Sequence, residues 1–229
     1  MKAQEVFNIV ANKYDLMNDI MSAGTHRYWK ECMIDWLNPF EGMKIIDVAG
    51  GTGDISQRFL KRINGKGEAT VCDPNESMIE YGKKKNKFTN NIEWVNAPAE
   101  NLPFANNTFD AYLVSFGVRN FNDIKKSLYE AQRVLKIGGR FICLEFSKVQ
   151  NKDVSRLYEI YSKMIPIFGK IVVGDEKPYQ YLTKTIENFP TQEKFQRIIE
   201  DSNFSNVEFR NLFNGIVAIH SGWKKADGK

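Results

Sequence analysis

The sequence predicts an α/β fold: an open, seven-stranded mixed sheet, mainly parallel, with helices on both faces and an antiparallel edge strand. Three observations carry that expectation. The β-branched run Lys44-Ile45-Ile46-Asp47-Val48 passes straight into Ala49-Gly50-Gly51-Thr52-Gly53-Asp54, after which Ile55, Phe59 and Leu60 recur at helical spacing. Apolar runs and helical patterns then alternate as far as Phe146, the rhythm of a parallel sheet. Finally, two strand-like runs, 205–213 and 215–221, follow each other closely and read as a hairpin.

Residues 1–43 precede the first strand. Val6, Phe7, Val10 and Tyr14 form a helical stripe, Ile20, Trp29, Met33, Trp36 and Leu37 suggest more helix, and Asn38-Pro39 closes it. Tyr14, Asp15, Asn18, Asp19, His26, Arg27 and Trp29 mix aromatic and polar groups, which suits a helical lid over a ligand mouth. A surface helix pair whose stripe is simply core fits the same pattern. The second strand, Glu68 to Cys72, ends at Asp73-Pro74-Asn75. Met78 and Tyr81 begin the next helix and Lys83-Lys84-Lys85 with Lys87 end it, cations at the negative end of the helix dipole.

Ile92 to Asn96 is the third strand, running into the loop Ala97 to Phe104. That loop can present backbone groups to an adenine edge while Leu102 and Phe104 pack below. Phe109 to Phe116 is a near-continuous apolar run, as a buried parallel strand requires, and leads into Gly117-Val118-Arg119-Asn120. A helix from Asp123 places Ile124, Leu128, Ala131 and Leu135 on one face. Gly138-Gly139 then turns the chain into the fifth strand, Arg140 to Phe146.

Residues 151–190 form a helical insertion after that strand. It is crowded with Tyr158, Tyr161, Ile165, Phe168 and Tyr181 and broken by Pro166, Gly169, Gly174 and Pro178. It reads as a wall for a greasy substrate, as a flap, or as helix packed on the core. A last helix from Thr191 carries Phe195, Ile198 and Ile199. The organisation is one structural unit, with residues 1–43 as the lid and 44–229 as the main domain.

The chain has 229 residues, 42% apolar and 26% charged, enough for one such domain with a full core. A net charge of +4 argues against an extended nucleic-acid groove and tolerates an anionic membrane surface. The three cysteines, Cys32, Cys72 and Cys143, lie far apart without metal-type spacing and read as buried thiols in a reducing compartment. With only two histidines, His26 and His220, no metal site is expected. The N-terminus, with Gln4, Glu5, Asn8 and Asn12, does not read as a signal peptide. No apolar run reaches the roughly 18 residues that span a bilayer.

The glycine turn after the first strand is the candidate ligand loop, because α/β sheets bind ligands outside the carboxyl ends of their strands. Gly51 and Gly53 allow close approach to the backbone. A dinucleotide loop would follow G-x-G-x-x-G, but Gly51-Thr52-Gly53-Asp54-Ile55-Ser56 lacks the third glycine. Asp54 is also a poor neighbour for a pyrophosphate and a better one for a cation. S-adenosylmethionine, with an ammonium, a sulfonium and a carboxylate, suits the loop better than NAD. The acidic-x-x-x-glycine-x-glycine run resembles the first motif of the Rossmann-like class I S-adenosylmethionine-dependent methyltransferases, with Ala49 where another glycine is frequent. A structural turn without a ligand remains open. Asp73, about 20 residues beyond the loop, is placed for ribose hydroxyls and fits either nucleoside ligand. After the fourth strand there is no Asn/Asp-Pro-Pro-aromatic run for base amines and no cysteine nucleophile for cytosine.

Four stretches together resemble the ubiquinone/menaquinone biosynthesis C-methyltransferase family. Tyr14-Asp15-Leu16-Met17-Asn18-Asp19, with Met21-Ser22-x-Gly24-x-His26-Arg27-x-Trp29, is similar to its N-terminal signature. Asp47 to Asp54 resembles its cofactor loop, including Ala49, and Ser115 to Asn120 its motif after the fourth strand. Arg133-Val134-Leu135-Lys136-x-Gly138-Gly139, running to Leu144-Glu145-Phe146-Ser147, resembles its second signature. Pro98 stands where relatives often carry a polar residue, so cofactor contact there would use the backbone. Ile137 replaces a usual proline.

The resemblance implies methylation of a ring carbon of a polyprenylated hydroquinone by S-adenosylmethionine. It implies cofactor contacts at Thr52, Asp73, Pro98-Ala99 and Ser115. A quinol carbon attacks only when a neighbouring hydroxyl pushes electron density into the ring, ideally as phenolate. Arg119 is expected to stabilise that phenolate or orient a water, Asn120 to anchor a hydroxyl, and Tyr14 to close over the ring. A cytoplasmic protein in transient contact with the inner membrane surface is expected. Partners would be the polyprenyl quinol and either a second copy or other quinone-biosynthesis proteins. A methyltransferase for another phenol or lipid, and a non-catalytic cofactor-binding scaffold, are the alternatives.

Overall fold

The computed structural model describes Asp19, Ser22 and residues 24–88, 90–149 and 177–226. Tyr14, the stripe from Val6 to Tyr14 and most of the 151–190 insertion lie outside the described residues.

Strands β1 (Lys44–Val48), β2 (Glu68–Cys72), β3 (Ile92–Val95), β4 (Phe109–Ser115), β5 (Leu135–Phe146), β6 (Phe204–Leu212) and β7 (Val217–Lys224) form one seven-stranded sheet. Its order is β3-β2-β1-β4-β5-β7-β6. The first five strands run parallel, and β7 runs antiparallel to β5 and β6. The antiparallel strand therefore lies one place in from the edge at which it was expected, and β6 forms the edge because the hairpin folds outward. Strand order reverses between β1 and β4, so their carboxyl ends open a crevice where ligands bind.

The described helices are α1 (His26–Leu37), α2 (Asp54–Arg62), α3 (Glu76–Lys85), α4 (Ile124–Val134), α5 (Lys177–Asn188) and α6 (Gln192–Glu200). Asn75, Asp123 and Thr191 cap α3, α4 and α6 by accepting the N–H of Met78, Lys126 and Lys194. Strand alternation splits the core in two. Ile45, Val71, Leu113, Ile142 and Leu144 pack on one face against Met33 and Ile34 of α1 and Ile55 and Phe59 of α2. Ile46, Val48, Tyr112, Val114 and Cys143 pack on the other against Leu128 and Ala131 of α4 and Phe195 and Ile199 of α6. By the same alternation Asp47 shares the face of Ile45, which carries a carboxylate under α2.

Helix α1 buries Trp29, Met33, Ile34, Trp36 and Leu37, and Asn38 ends it in the left-handed conformation. This part of the N-terminal segment is therefore core-packed helix. Two boundaries differ from the sequence expectation. Leu135 pairs with Phe109, so it opens β5 instead of closing α4. Because Arg140 then pairs with Ala111, Lys136 to Gly139 bulge out opposite Asp110, and Gly138 turns there at φ 77°. The hairpin strands sit at 204–212 and 217–224, since β7 extends to pair Trp223 with Arg140. Cys72 and Cys143 are buried and Cys32 is half-buried.

Candidate active site

The loop after β1 is held open by its backbone. Ala49, Gly51 and Gly53 all have positive φ, and Gly53 caps α2. A Cβ on Gly53 would stand 2.8 Å from the Trp94 ring, so only glycine fits there. The loop, α1 and the end of β4 enclose a cavity to which Lys30, Asp47, Gly50, Thr52, Asp54 and Ser115 contribute.

Asp47 is buried at the cavity floor. Its Oδ2 accepts from Ser56 N at 3.2 Å and Ser56 Oγ at 3.0 Å, while its Oδ1 has no partner. Burial pushes this carboxyl up to about 7. Ser115 Oγ is likewise buried without a partner. Thr52 is buried in the same wall. Asp73 fastens the loop from β2: its Oδ2 accepts from Gly51 N at 2.9 Å and its Oδ1 from Asn75 N at 2.8 Å. Burial raises Asp73 to about 6. Each carboxylate oxygen keeps a further lone pair, so ribose hydroxyls remain compatible.

One step of the sequence reasoning is corrected. Asp54 is not an uncompensated acid awaiting a cation. Its Oδ2 accepts from Lys30 Nζ at 2.8 Å and its Oδ1 from Arg58 Nε at 3.0 Å. Although burial opposes ionisation, these cations hold the carboxyl down at about 2. The acid with unused capacity is Asp47. Pro98 and Ala99 do not line the cavity around Asp47. The Pro98 carbonyl accepts from Asn101 N at 3.2 Å, and Ala99 packs in the cluster with Cys72 and Leu102.

Beyond β4, Phe116 takes φ 57° and the chain enters a tight helical turn over Val118–Asn120. Arg119 folds inward. Its Nη1 donates to Glu145 Oε1 at 2.8 Å and also to the Phe116 carbonyl, and its backbone N donates to Glu145 Oε2 at 3.3 Å. Both side chains are buried, and Arg119 Nε has no partner. The guanidinium lies 5.7 Å from the Phe146 ring, and Phe146 packs on Phe116 and Trp29. Asn120 Oδ1 accepts from Tyr181 Oη of α5 at 3.0 Å.

Thr52 and Ser115 thus share one cavity, Gly51, Gly53 and Asp73 form its loop margin, and Arg119 and Asn120 stand at the next strand end. Lys30 and Glu145 were not singled out from the sequence. A carboxylate inside the apolar run of β5 was the available signal for Glu145; Lys30 had none. Among the described residues no His, Cys, Asp and Glu cluster could hold a metal, and no helix is long and apolar enough to cross a membrane. The unpaired Asp47 and Ser115 oxygens, in a cradle closed to side chains at Gly53, fit a polar, partly cationic ligand such as S-adenosylmethionine.

Comparisons with known proteins agree. The model of the ubiE/COQ5 methyltransferase family matches residues 1–224. The chain is 50% identical over 227 residues to the ubiquinone/menaquinone biosynthesis C-methyltransferase UbiE of Roseobacter denitrificans, covering 97% of this chain and 90% of that one. It is 44% identical to the mitochondrial 2-methoxy-6-polyprenyl-1,4-benzoquinol methylase of Bos taurus, covering 97% and 79%. Among solved structures, a Thermotoga maritima S-adenosylmethionine-dependent methyltransferase matches at TM-score 0.66 and 19% identity over 96% of this chain and all of that one, which speaks for the fold. The chain belongs to the ubiE/COQ5 methyltransferase family and is an S-adenosylmethionine-dependent C-methyltransferase.

Proposed function

We propose that the chain methylates a ring carbon of a polyprenylated hydroquinone: a demethylmenaquinol, a 2-methoxy-6-polyprenyl-1,4-benzoquinol, or both. The observation that carries this reading is Arg119, a cation braced on Glu145 within a wall of Trp29, Phe116 and Phe146, with its Nε unpaired. An oily ring that must ionise needs that combination. Bound S-adenosylmethionine supplies an electrophilic methyl group on a positively charged sulfur.

The protein's part is to place the ring and manage its protons. Gly51, Thr52, Gly53 and Ser115 hold the donor in the loop, Asp73 takes the ribose hydroxyls, and Pro98-Ala99 meet the adenine by backbone. Arg119 stabilises the phenolate as the ring carbon attacks. Asn120, steadied by Tyr181, anchors the second hydroxyl, and Tyr14 closes over the ring. The proton on the methylated ring carbon then passes to solvent water, which restores aromaticity. Exposed Tyr28 and Phe213, edge to face at 6.1 Å beside Trp29, offer an apolar approach for the first isoprene units. This supports transient contact of a cytoplasmic protein with the membrane surface while the tail stays in the bilayer.

The test is incubation with methyl-labelled S-adenosylmethionine and each short-tailed quinol, kept reduced. Label on the ring carbon is expected. Cofactor binding without transfer to either quinol would overturn the acceptor assignment in favour of another phenol or a non-catalytic scaffold.

A further inference from the structure

The cavity beside the glycine loop contains a cation that the chemistry above does not use. Lys30 projects from α1 with only 7% of its side chain exposed, and its Nζ reaches Asp54 Oδ2 at 2.8 Å. An ammonium carries three donors, and Asp54 occupies one of them. Asp54 does not depend on Lys30 alone, because Arg58 Nε donates to its other oxygen. Burial of a long cation is unfavourable unless it is fully engaged, so the remaining donors call for an acceptor from the cavity itself.

The opposite charge is presented by Asp47, whose Oδ1 is buried and unpaired and borders the same cavity. An anion-binding group and a cation-binding group thus share one narrow space. A ligand segment with an ammonium and a carboxylate on one carbon matches both, and the methionine end of the donor is such a segment.

We propose that Lys30 binds the carboxylate of S-adenosylmethionine, so that α1 supplies a donor contact from outside the glycine loop. This rests on the reading that the loop after β1 is the cofactor site. Lys30 then joins α1 to the cofactor as well as to α2, and an occupied site ties the N-terminal segment to the sheet.

The test is calorimetric binding of three ligands to the full chain: S-adenosylmethionine, its decarboxylated form and 5′-methylthioadenosine. The wild type is expected to prefer S-adenosylmethionine over the decarboxylated form by about tenfold or more, the range of a charge-assisted hydrogen bond. Lys30→Gln should erase that preference while leaving methylthioadenosine binding within about twofold, and Lys30→Arg should retain it. Equal wild-type affinity for the first two ligands, or equal weakening of all three by Lys30→Gln, would overturn the proposal. Asp73→Ala separates the two layers. It should weaken all three ligands alike, and no effect on any of them would remove the loop reading itself.

Discussion

The two ends of the sheet treat buried polarity in opposite ways. Around Arg140, Lys224 and Asp110, at the amino ends of the parallel strands, polar groups are paired. Arg140 Nε donates to Ser221 Oγ at 2.8 Å, its guanidinium also reaches the Trp36 carbonyl, and it lies between the Trp36 and Trp223 rings. Lys224 Nζ donates to Asn107 Oδ1 at 2.8 Å and to the Leu135 carbonyl at 2.9 Å. Asp110 accepts from Lys44 N and Lys136 Nζ. At the carboxyl ends, Asp47 Oδ1, Ser115 Oγ, Arg119 Nε and Ser147 Oγ are all buried without partners. An unsatisfied buried polar atom is unfavourable by about 1–3 kcal/mol. The groups named at one end are engaged in the fold, and those at the other keep hydrogen-bonding capacity unused.

The sharpest way to break this comparison is Arg119→Ala. It would strand Glu145 in the core, a loss of about 3–5 kcal/mol. It should also lower turnover by about 100-fold or more if the guanidinium stabilises the phenolate. Urea unfolding and single-turnover assays read the two effects separately. Unchanged turnover in the folded variant would remove Arg119 from the chemistry and make its pair with Glu145 structural.

Asp47→Asn should move stability and binding in opposite directions. The Asp47 carboxyl is raised to about 7 in the fold, so its proton is retained there and lost in the unfolded chain above 3.8. Stability is therefore lost as pH rises through that window, by about 4 kcal/mol above it. Asparagine should recover part of this at pH 8, none near pH 4, and weaken S-adenosylmethionine binding. Melting curves across pH with a binding titration would check this. A variant that is destabilised at pH 8 would mean that the Asp47 charge serves the fold.

His220 gives the contrary slope. It is buried between Phe195 and Phe209, its Nε2 donates to the Gln192 carbonyl at 3.0 Å, and burial holds it down at about 4. Its folded pKa lies below the unfolded value, so its contribution is complete above about 6.5 and is lost as pH falls towards 4, by about 3 kcal/mol. Acid unfolding of His220→Gln should lack that slope. The smallest effect is expected for Arg140→Met: about 2 kcal/mol of stability with S-adenosylmethionine affinity unchanged. A change in affinity would dissolve the contrast between the two ends.

Much of this was legible in the sequence because it rests on local signals. The run from Lys44 to Asp54 defines strand, turn and helix by itself, and Asn75, Asp123 and Thr191 mark helix starts with their own side chains. The place of Asp73 at the end of β2, beside the glycine loop, follows from its distance along one βαβ unit. What the sequence concealed was pairing across the fold. The charge of Asp54 is visible, but the Lys30 that neutralises it comes from a helix 24 residues away. The bond between Arg119 and Glu145 spans 26 residues and forms only because β4 and β5 are neighbours. The end of α4 was misplaced for a similar reason: Leu135 suits a helix face, and only the register with Phe109 assigns it to the sheet.

The meeting of the loops after β1 and β4 has a mutational corollary. An ideal Cβ on Gly117 would lie 2.6 Å from the Cβ of Ala49, which itself occupies a left-handed backbone position. One methyl group fits between these loops and two do not. Positions 49 and 117 are therefore coupled: Gly117→Ala should be better tolerated with glycine at 49 than with Ala49.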